Sequence, residues 1–135
     1  MTGALAGLVA ITPASGFVQV GPAMLIGAVA GAACFVVSWA VRDVLKLDDP
    51  TDLISVHAAG GAIGTILTGV FATKRIGTGE GWIDGNSSQV LLQIAAVVVV
   101  AVWCIVVTHI LISVLEAVFS KDKGRPTLLT AAPRL

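Results

Sequence analysis

Charge is what this sequence has least of. Only 12% of its 135 residues are Asp, Glu, Lys or Arg, and 56% are hydrophobic, whereas a soluble domain averages about 25% charged residues. Such a chain cannot cover a globular surface with polar side chains, so its composition indicates a protein embedded in a lipid bilayer. The formal net charge is zero, which gives no indication of a nucleic-acid partner.

Cysteine is nearly as scarce as charge. Cys34 and Cys104 both lie inside apolar runs and not at metal-ligand spacing, so we interpret them as small buried hydrophobic residues. The sequence also shows no nucleophile–base pairing, metal-binding cluster or phosphate-binding loop. We therefore expect a protein that is not an enzyme and that uses no cofactor and no metal.

Long hydrophobic runs are what the sequence has instead. A bilayer crossing takes about 20 apolar residues, and three runs are long enough, at 21–41, 53–73 and 90–115. A fourth run, 3–11, is half a span; without a basic segment before it or a clear cleavage site after it, it is a poor signal peptide. The sequence predicts an all-α membrane domain over residues 1–119 and a tail over 120–135.

The basic residues predict an orientation. Those that follow the first and third spans are Arg42, Lys46, Lys121, Lys123 and Arg125. These two sites lie on one side of the membrane because two crossings separate them. The loop on the other side, residues 74–89, carries two basic and two acidic residues. The positive-inside rule therefore predicts that residues 42–52 and the C-terminal tail are cytoplasmic.

Glycine recurs at a fixed spacing in the apolar runs. Three pairs lie four residues apart, namely Gly3/Gly7, Gly27/Gly31 and Gly60/Gly64. Small residues at this spacing allow helix backbones to approach closely in lipid. We predict close helix packing at these glycines and at the adjacent Gly61, in a bundle larger than three and a half helices can form.

The segment Asp49-Pro50-Thr51-Asp52 is typical of a helix start. Asp49 is predicted as the N-cap and Pro50 as the first helical residue. Asp52 would then lie in the first turn, where its carboxylate can accept hydrogen bonds from free backbone N–H groups. We predict a structural capping role for both aspartates; the alternative is a direct part in handling ions.

One histidine follows on this helix. His57 lies five residues after Asp52, a rise of about 7.5 Å, in the inner half of the span. Polar side chains at this depth usually face a bundle interior or an aqueous path. The simpler alternative is a neutral histidine hydrogen-bonded to a neighbouring helix. We expect Gly60, Gly61 and Gly64 to leave open space beside the imidazole, which favours a narrow pathway.

Two long motifs carry a family resemblance. The stretches "GLVAITPASGFVQVGPAMLIGAVAG" and "DDPTDLISVHAAGGAIGTILTGVFA" resemble the C-terminal part of the ammonium transporter family (Amt/Mep/Rh), and its Amt branch in particular. The resemblance covers about residues 3–119. It implies part of an eleven-helix inverted-repeat fold, from the end of the eighth helix to the eleventh. It also implies trimers with one narrow, mostly hydrophobic pore per subunit, in the plasma membrane, and a cytoplasmic C-terminus.

The resemblance also implies residue roles. His57 matches one of the family's two pore histidines, and Leu53 a hydrophobic position near the inner pore exit. Asp52 matches an aspartate at the cytoplasmic start of the same helix. In the family, ammonium is thought to lose its proton near the outer mouth, and ammonia then passes the histidines. The implied partners are ammonium or ammonia, the lipid bilayer, the missing N-terminal half and the other subunits of a homotrimer.

The chain departs from the family pattern in three respects. The tail after Phe119 lacks the acidic, glycine-containing segment of many members. His109 falls where an apolar residue is usual, and we interpret it as a packing or interhelical hydrogen-bonding residue, not as the second pore histidine. The third departure is length, since the family's first seven helices have no counterpart.

These departures leave several functions open. The leading hypothesis is an ammonium transporter present as a fragment or split half. The alternatives are a non-transporting remnant that assembles with full-length transporters, and a small unrelated channel. We expect the chain alone not to transport ammonium, because half of the pore wall would be absent and the face with Gly60, Gly61 and Gly64 would meet lipid.

Overall fold

The computed structural model describes residues 2–49 and 51–119, and all regular elements in this part are helices. We name them α1 (Thr2–Ile11), α2 (Val20–Trp39), α3 (Ala59–Phe71) and α4 (Ser88–Phe119). A 3-10 turn, Thr12–Ala14, follows α1, and two π-helical segments, Ala40–Val44 and Leu53–Ala58, flank the loop between α2 and α3. The predicted place of Pro50 and the tail at 120–135 lie outside the described residues.

Three helical stretches are long and apolar enough to cross a bilayer. They are Val20–Val44, Leu53–Phe71 and Ser88–Phe119, and a shorter apolar helix covers Gly3–Ala14. Each overlaps one of the hydrophobic runs in the sequence. The all-helical fold class predicted from those runs is confirmed.

Glycine backbones bring α1 and α2 together. A Cβ added at Gly7 would lie 3.3 Å from the carbonyl oxygen of Gly27, and one added at Gly31 would lie 3.3 Å from that of Gly3. The two contacts run in opposite directions along the two helices, so α1 and α2 are antiparallel. A methyl group at either position would press on backbone atoms of the other helix, so glycine is the residue that best allows this approach.

Small side chains fill the core between α1, α2 and α3. One buried cluster consists of Ala10, Ala14, Ile26 and Ala30, and a second of Ala6, Cys34 and Val56. Alanine dominates because the glycine contacts hold the backbones too close for larger groups. The core therefore lies at the line where the three helices meet.

The loop between α3 and α4 is tied to the loop between α1 and α2. The N–H of Thr73 donates to the carbonyl of Phe17 at 2.9 Å, and a Cβ at Gly77 would lie 2.6 Å from the carbonyl oxygen of Gly16. Within the loop, Lys74 pairs with Glu80 at 2.5 Å. These contacts close one end of the three-helix unit.

The chain divides into two compact units, one ending at Val97 and one beginning at Val98. In the second unit, the described part of α4 has no buried residue, and apolar side chains lie on all of its sides. Cys104 is exposed, so the prediction that both cysteines are buried is wrong for this one. His109 is exposed as well, and within the described chain it makes neither the packing contact nor the interhelical hydrogen bond expected of it.

Candidate functional site

The site predicted around His57 lies at the start of the second long span. The π-helical segment begins at Leu53, after Asp52, whose backbone is left-handed at φ 52° and ψ 32°. This start is later than the predicted one, in which Asp49 was the N-cap residue. Aspartate tolerates the left-handed region better than most residues, so the chain can turn into the helix there without glycine.

The carboxylate of Asp49 satisfies the free N–H groups of this helix start. It accepts from the N–H of Leu53 at 2.8 Å, of Ile54 at 3.0 Å and of Ser55 at 3.4 Å, and from the Ser55 hydroxyl at 3.4 Å. Burial raises the pKa of Asp49, but these hydrogen bonds outweigh it and hold the pKa below its ordinary value. Asp49 thus provides the hydrogen bonds of a cap from four residues before Leu53.

The carboxylate of Asp52 has different partners. It forms an ion pair with Arg42 and accepts a hydrogen bond from the Ser38 hydroxyl at 3.5 Å. No side-chain hydrogen bond joins Asp52 to the N–H groups of its own helix, which differs from the predicted capping role. The left-handed backbone turns this side chain toward the end of α2. Asp52 therefore connects two spans and does not cap one.

One face of α3 is covered by α1. A Cβ at Gly64 would overlap the backbone of Ala10, with its carbonyl and α carbons only 2.7 Å away. A Cβ at Gly60 would lie 3.3 Å from the Cys34 sulfur and 3.6 Å from the Ala6 carbonyl. The expected open space beside the imidazole is therefore wrong for these two glycines, and so is the expectation that their face meets lipid.

A strip beside this packed face is open, along the π-helical segment and the start of α3. Leu53, His57 and Gly61 succeed one another at intervals of four residues and form what we call the open strip. Leu53 is 60% exposed, His57 is exposed, and a Cβ at Gly61 would meet no atom within 4 Å. Gly61 thus lacks the close contact predicted for it. Gly27 also has open space at its own Cβ position, although its backbone contacts Gly7.

His57 is the one ionisable side chain on the open strip. Among the described residues, its imidazole takes part in no side-chain hydrogen bond. The simpler alternative, a histidine satisfied by a neighbouring helix, therefore has no partner within the described chain. A neutral imidazole offers one donor nitrogen and one acceptor nitrogen, so it can exchange a proton with a small base that passes along the strip.

The sequence reasoning missed the two residues that hold Asp52. Arg42 was used only to infer orientation, and Ser38 received no role. The available signal is that Ser38 and Arg42 lie four residues apart near the end of an apolar run, fourteen and ten residues before Asp52. It was not sufficient, because the partner across the loop depends on the left-handed turn at Asp52.

Comparison with known proteins gives the chain its family. The family model of the Ammonium Transporter Family matches residues 1–121. An ammonium transporter of Aquifex aeolicus is 38% identical over 117 residues, which are 87% of this chain and 28% of that protein. The ammonium transporter MEP2 of Saccharomyces cerevisiae is 37% identical over 126 residues, 87% of this chain and 25% of that protein. The chain thus spans about a quarter of these relatives' lengths.

Solved structures show the same relationship. The crystal structure of Saccharomyces cerevisiae Mep2 matches with a TM-score of 0.77 and 37% identity, over 85% of this chain and 27% of that one. The crystal structure of Candida albicans Mep2 matches with a TM-score of 0.75 and 35% identity, over 86% and 27%. Sequence, fold and motif agree over nearly the whole described chain, and the chain therefore belongs to the Ammonium Transporter Family.

Proposed function

We propose that this chain forms one wall of a transmembrane pathway for ammonium or ammonia, with Leu53 and His57 lining it. The observation that carries the proposal is the open strip, which runs along the helical span beside the face packed against α1. The buried face fixes the helix, and the open strip presents an imidazole between two uncharged positions. Membership of a family of transporters supports transport as the role of this strip.

The chemistry of the strip suits ammonia better than ammonium. A bare ammonium ion pays a large desolvation penalty in an apolar passage, whereas ammonia is neutral. A neutral imidazole has one donor and one acceptor nitrogen, so it can take up a proton at one nitrogen and release one from the other. We propose that His57 is one of a pair of pore histidines, and that the second lies on another part of the complete pore.

The open strip needs an opposite wall. A polar side chain facing hydrocarbon is unfavourable, so the strip must face protein or an aqueous path. We propose that further transporter helices, corresponding to the missing N-terminal half, complete the pore, and that complete units assemble as homotrimers. Residues 1–119 then form part of a multi-pass membrane domain in the plasma membrane, with residues 42–52 and the C-terminus on the cytoplasmic side.

The test compares the two histidines of the chain. Transporter-deficient cells would express residues 1–135 with the remaining helices of a relative such as the Aquifex aeolicus protein. His57→Ala should reduce uptake of radiolabelled methylammonium and its proton coupling, by about tenfold or more if proton transfer through the ring limits transport. His109 lies on α4 and is not part of the open strip, so His109→Ala should leave uptake unchanged.

Equal uptake and equal proton coupling in the His57→Ala and wild-type proteins, at matched membrane levels, would contradict the proposal. Uptake that is absent in every variant but accompanied by stable association with the helper helices would support the alternative function as an assembly partner.

A further inference from the structure

The loop between α2 and α3 is held by two different carboxylates and flanked by two π-helical segments. A π-helix closes hydrogen bonds between residues five apart and is wider than an α-helix, and such segments often mark functional sites. In this loop, Lys46 and Asp52 are the non-glycine residues with positive φ, at 51° and 52°. The loop is therefore an unfavourable conformation that specific contacts must hold in place.

The π-helical segment Leu53–Ala58 lies between two anchors. At its beginning, Asp52 is bound to Arg42 and Ser38 of the preceding helical span. After its end, Gly60 packs against Cys34 and Ala6. An α-helix over the same six residues would wind further, since an α-helix turns about 100° per residue and a π-helix roughly 80–85°. The π winding thus allows Asp52 and Gly60 to make their contacts at the same time.

Release of the first anchor would have a graded effect along the segment. If α3 stays packed on α1 and the segment rewinds as an α-helix, Leu53 turns by about 90–120° and His57 by about 30–40°. Leu53 would then leave the open strip and turn toward the packed side, where Ser55 and Val56 are now buried. The open strip therefore depends on the position of Asp52.

We propose that Arg42 is a positioning residue for the open strip: through its ion pair with Asp52, it keeps Leu53–Ala58 in the π-helical winding that aligns Leu53 and His57 along the pathway. The meaning of this inference rests on the proposed transport function. Arg42 itself does not lie on the open strip and contacts neither of these two side chains; it acts only through the carboxylate of Asp52.

The experiment measures side-chain accessibility in the full chain in lipid nanodiscs, without transport. A cysteine introduced as Leu53→Cys is labelled with a water-soluble maleimide, with a second cysteine introduced as Ser87→Cys, exposed in the loop after α3, as internal reference. His57 is carbethoxylated with diethyl pyrocarbonate in parallel proteins that carry Ser87→His as the reference. Cys34, buried in the wild type, reports general loosening of the bundle.

Two substitutions remove the anchor in different ways. Arg42→Ala removes the cation, and Asp52→Gly removes the carboxylate while allowing the left-handed backbone at no steric cost. Both should lower the labelling ratio at position 53 by about two- to fivefold, the range by which an exposed ion pair biases two conformations. The ratio at His57 should change less, and labelling of Cys34 should not rise.

Two further variants serve as controls. Arg42→Lys keeps a cation near Asp52 and should retain most of the wild-type ratio. Arg75→Ala removes an exposed arginine from the loop after α3 and should have no effect. Ratios at position 53 that are unchanged in both Arg42→Ala and Asp52→Gly would overturn the inference, as would an equal change in Arg75→Ala or a parallel rise at Cys34, which indicates loss of structure alone.

The outcome is independent of the transport assay. If labelling changes as expected but His57→Ala transports normally, the proposed function fails and the positioning role stands. If His57→Ala abolishes uptake while labelling is unaffected by Arg42→Ala and Asp52→Gly, the proposed function stands and the positioning role fails.

Discussion

At the residue scale, two aspartates three positions apart have separate roles. Asp49 accepts from the first N–H groups of a helix, while Asp52 pairs with Arg42 of the preceding span. The difference arises from backbone conformation, because the left-handed turn at Asp52 directs its side chain away from the helix it precedes. Loss of the Asp49 carboxylate should therefore affect the start of the helix, and loss of the Asp52 carboxylate the contact with the preceding span.

The pH dependence of stability tests the role of Asp49. Its folded-state pKa lies below the ordinary value of about 3.9 for an unfolded chain. Its contribution is therefore present above about pH 4 and is lost as the pH falls through the lower folded value. Asp49→Asn should lower the thermal midpoint in detergent at pH 7 and flatten the fall in stability below pH 4.

The matched control is the neighbouring Asp48, which is exposed and accepts none of these hydrogen bonds within the described chain. Asp48→Asn should keep both the wild-type midpoint and the wild-type acid profile. An Asp49→Asn protein that matches the wild type at every pH would show that these hydrogen bonds do not stabilise the helix start.

At the scale of the element, α3 has a closed face and an open one. Gly64 faces α1 so closely that only hydrogen fits, and Gly60 packs against Cys34 of α2 and Ala6 of α1, while Gly61, one position from Gly60, faces free space. The hydroxyl groups of Thr65 and Thr68 donate hydrogen bonds to the backbone carbonyls four residues earlier, at 2.8 and 2.7 Å. Neither hydroxyl therefore requires a partner from another helix.

Substitution of adjacent glycines tests this asymmetry. Gly64→Ala places a methyl group against the backbone of Ala10, which cannot move aside as a side chain can, and should destabilise the chain by about 1–3 kcal/mol. Gly61→Ala meets no atom within 4 Å and should be neutral, or slightly stabilising because alanine favours helix. Thermal unfolding in one detergent measures both. Equal loss in the two variants would refute the packing of α3 on α1.

At the scale of the whole molecule, α1 and α2 cover one face of α3, and the open strip beside that face has no partner within the described chain. No second wall faces the open strip in the described chain, and the chain corresponds to about a quarter of the length of the relatives it matches. The pathway we propose is therefore a property of an assembly.

Residues 1–135 expressed alone should not support ammonium-limited growth of transporter-deficient cells. The reason is His57, since an unsatisfied polar group in hydrocarbon costs on the order of several kcal/mol and no second wall encloses the path. Co-expression of the remaining helices should restore growth, because membrane helices can insert separately and then associate. Growth with the short chain alone, abolished by His57→Ala, would show that one wall suffices.

The sequence by itself determined that the chain lies in a lipid bilayer, where its helices lie and which family it resembles. With 12% charged residues the chain cannot remain in water, and each long apolar run can satisfy its backbone in lipid only as a helix. The first two conclusions depend on composition and on the length of the apolar runs, and the family depends on the resemblance of the two long motifs; the sequence carries all of these directly. The importance of Gly60 and Gly64 was also predictable, since small residues four apart indicate close helix packing.

The tertiary structure decided what those residues contact. Gly64 could have faced a pore or a helix, and only the packing of α1 shows that Gly61 alone of the three faces free space. Asp52 could have capped its own helix, but its backbone is left-handed and its carboxylate pairs with Arg42 of the preceding span. Cys104 lies in an apolar run like Cys34 but is exposed. Such pairings depend on which helix faces join, and spacing along one helix cannot specify the helix across from it.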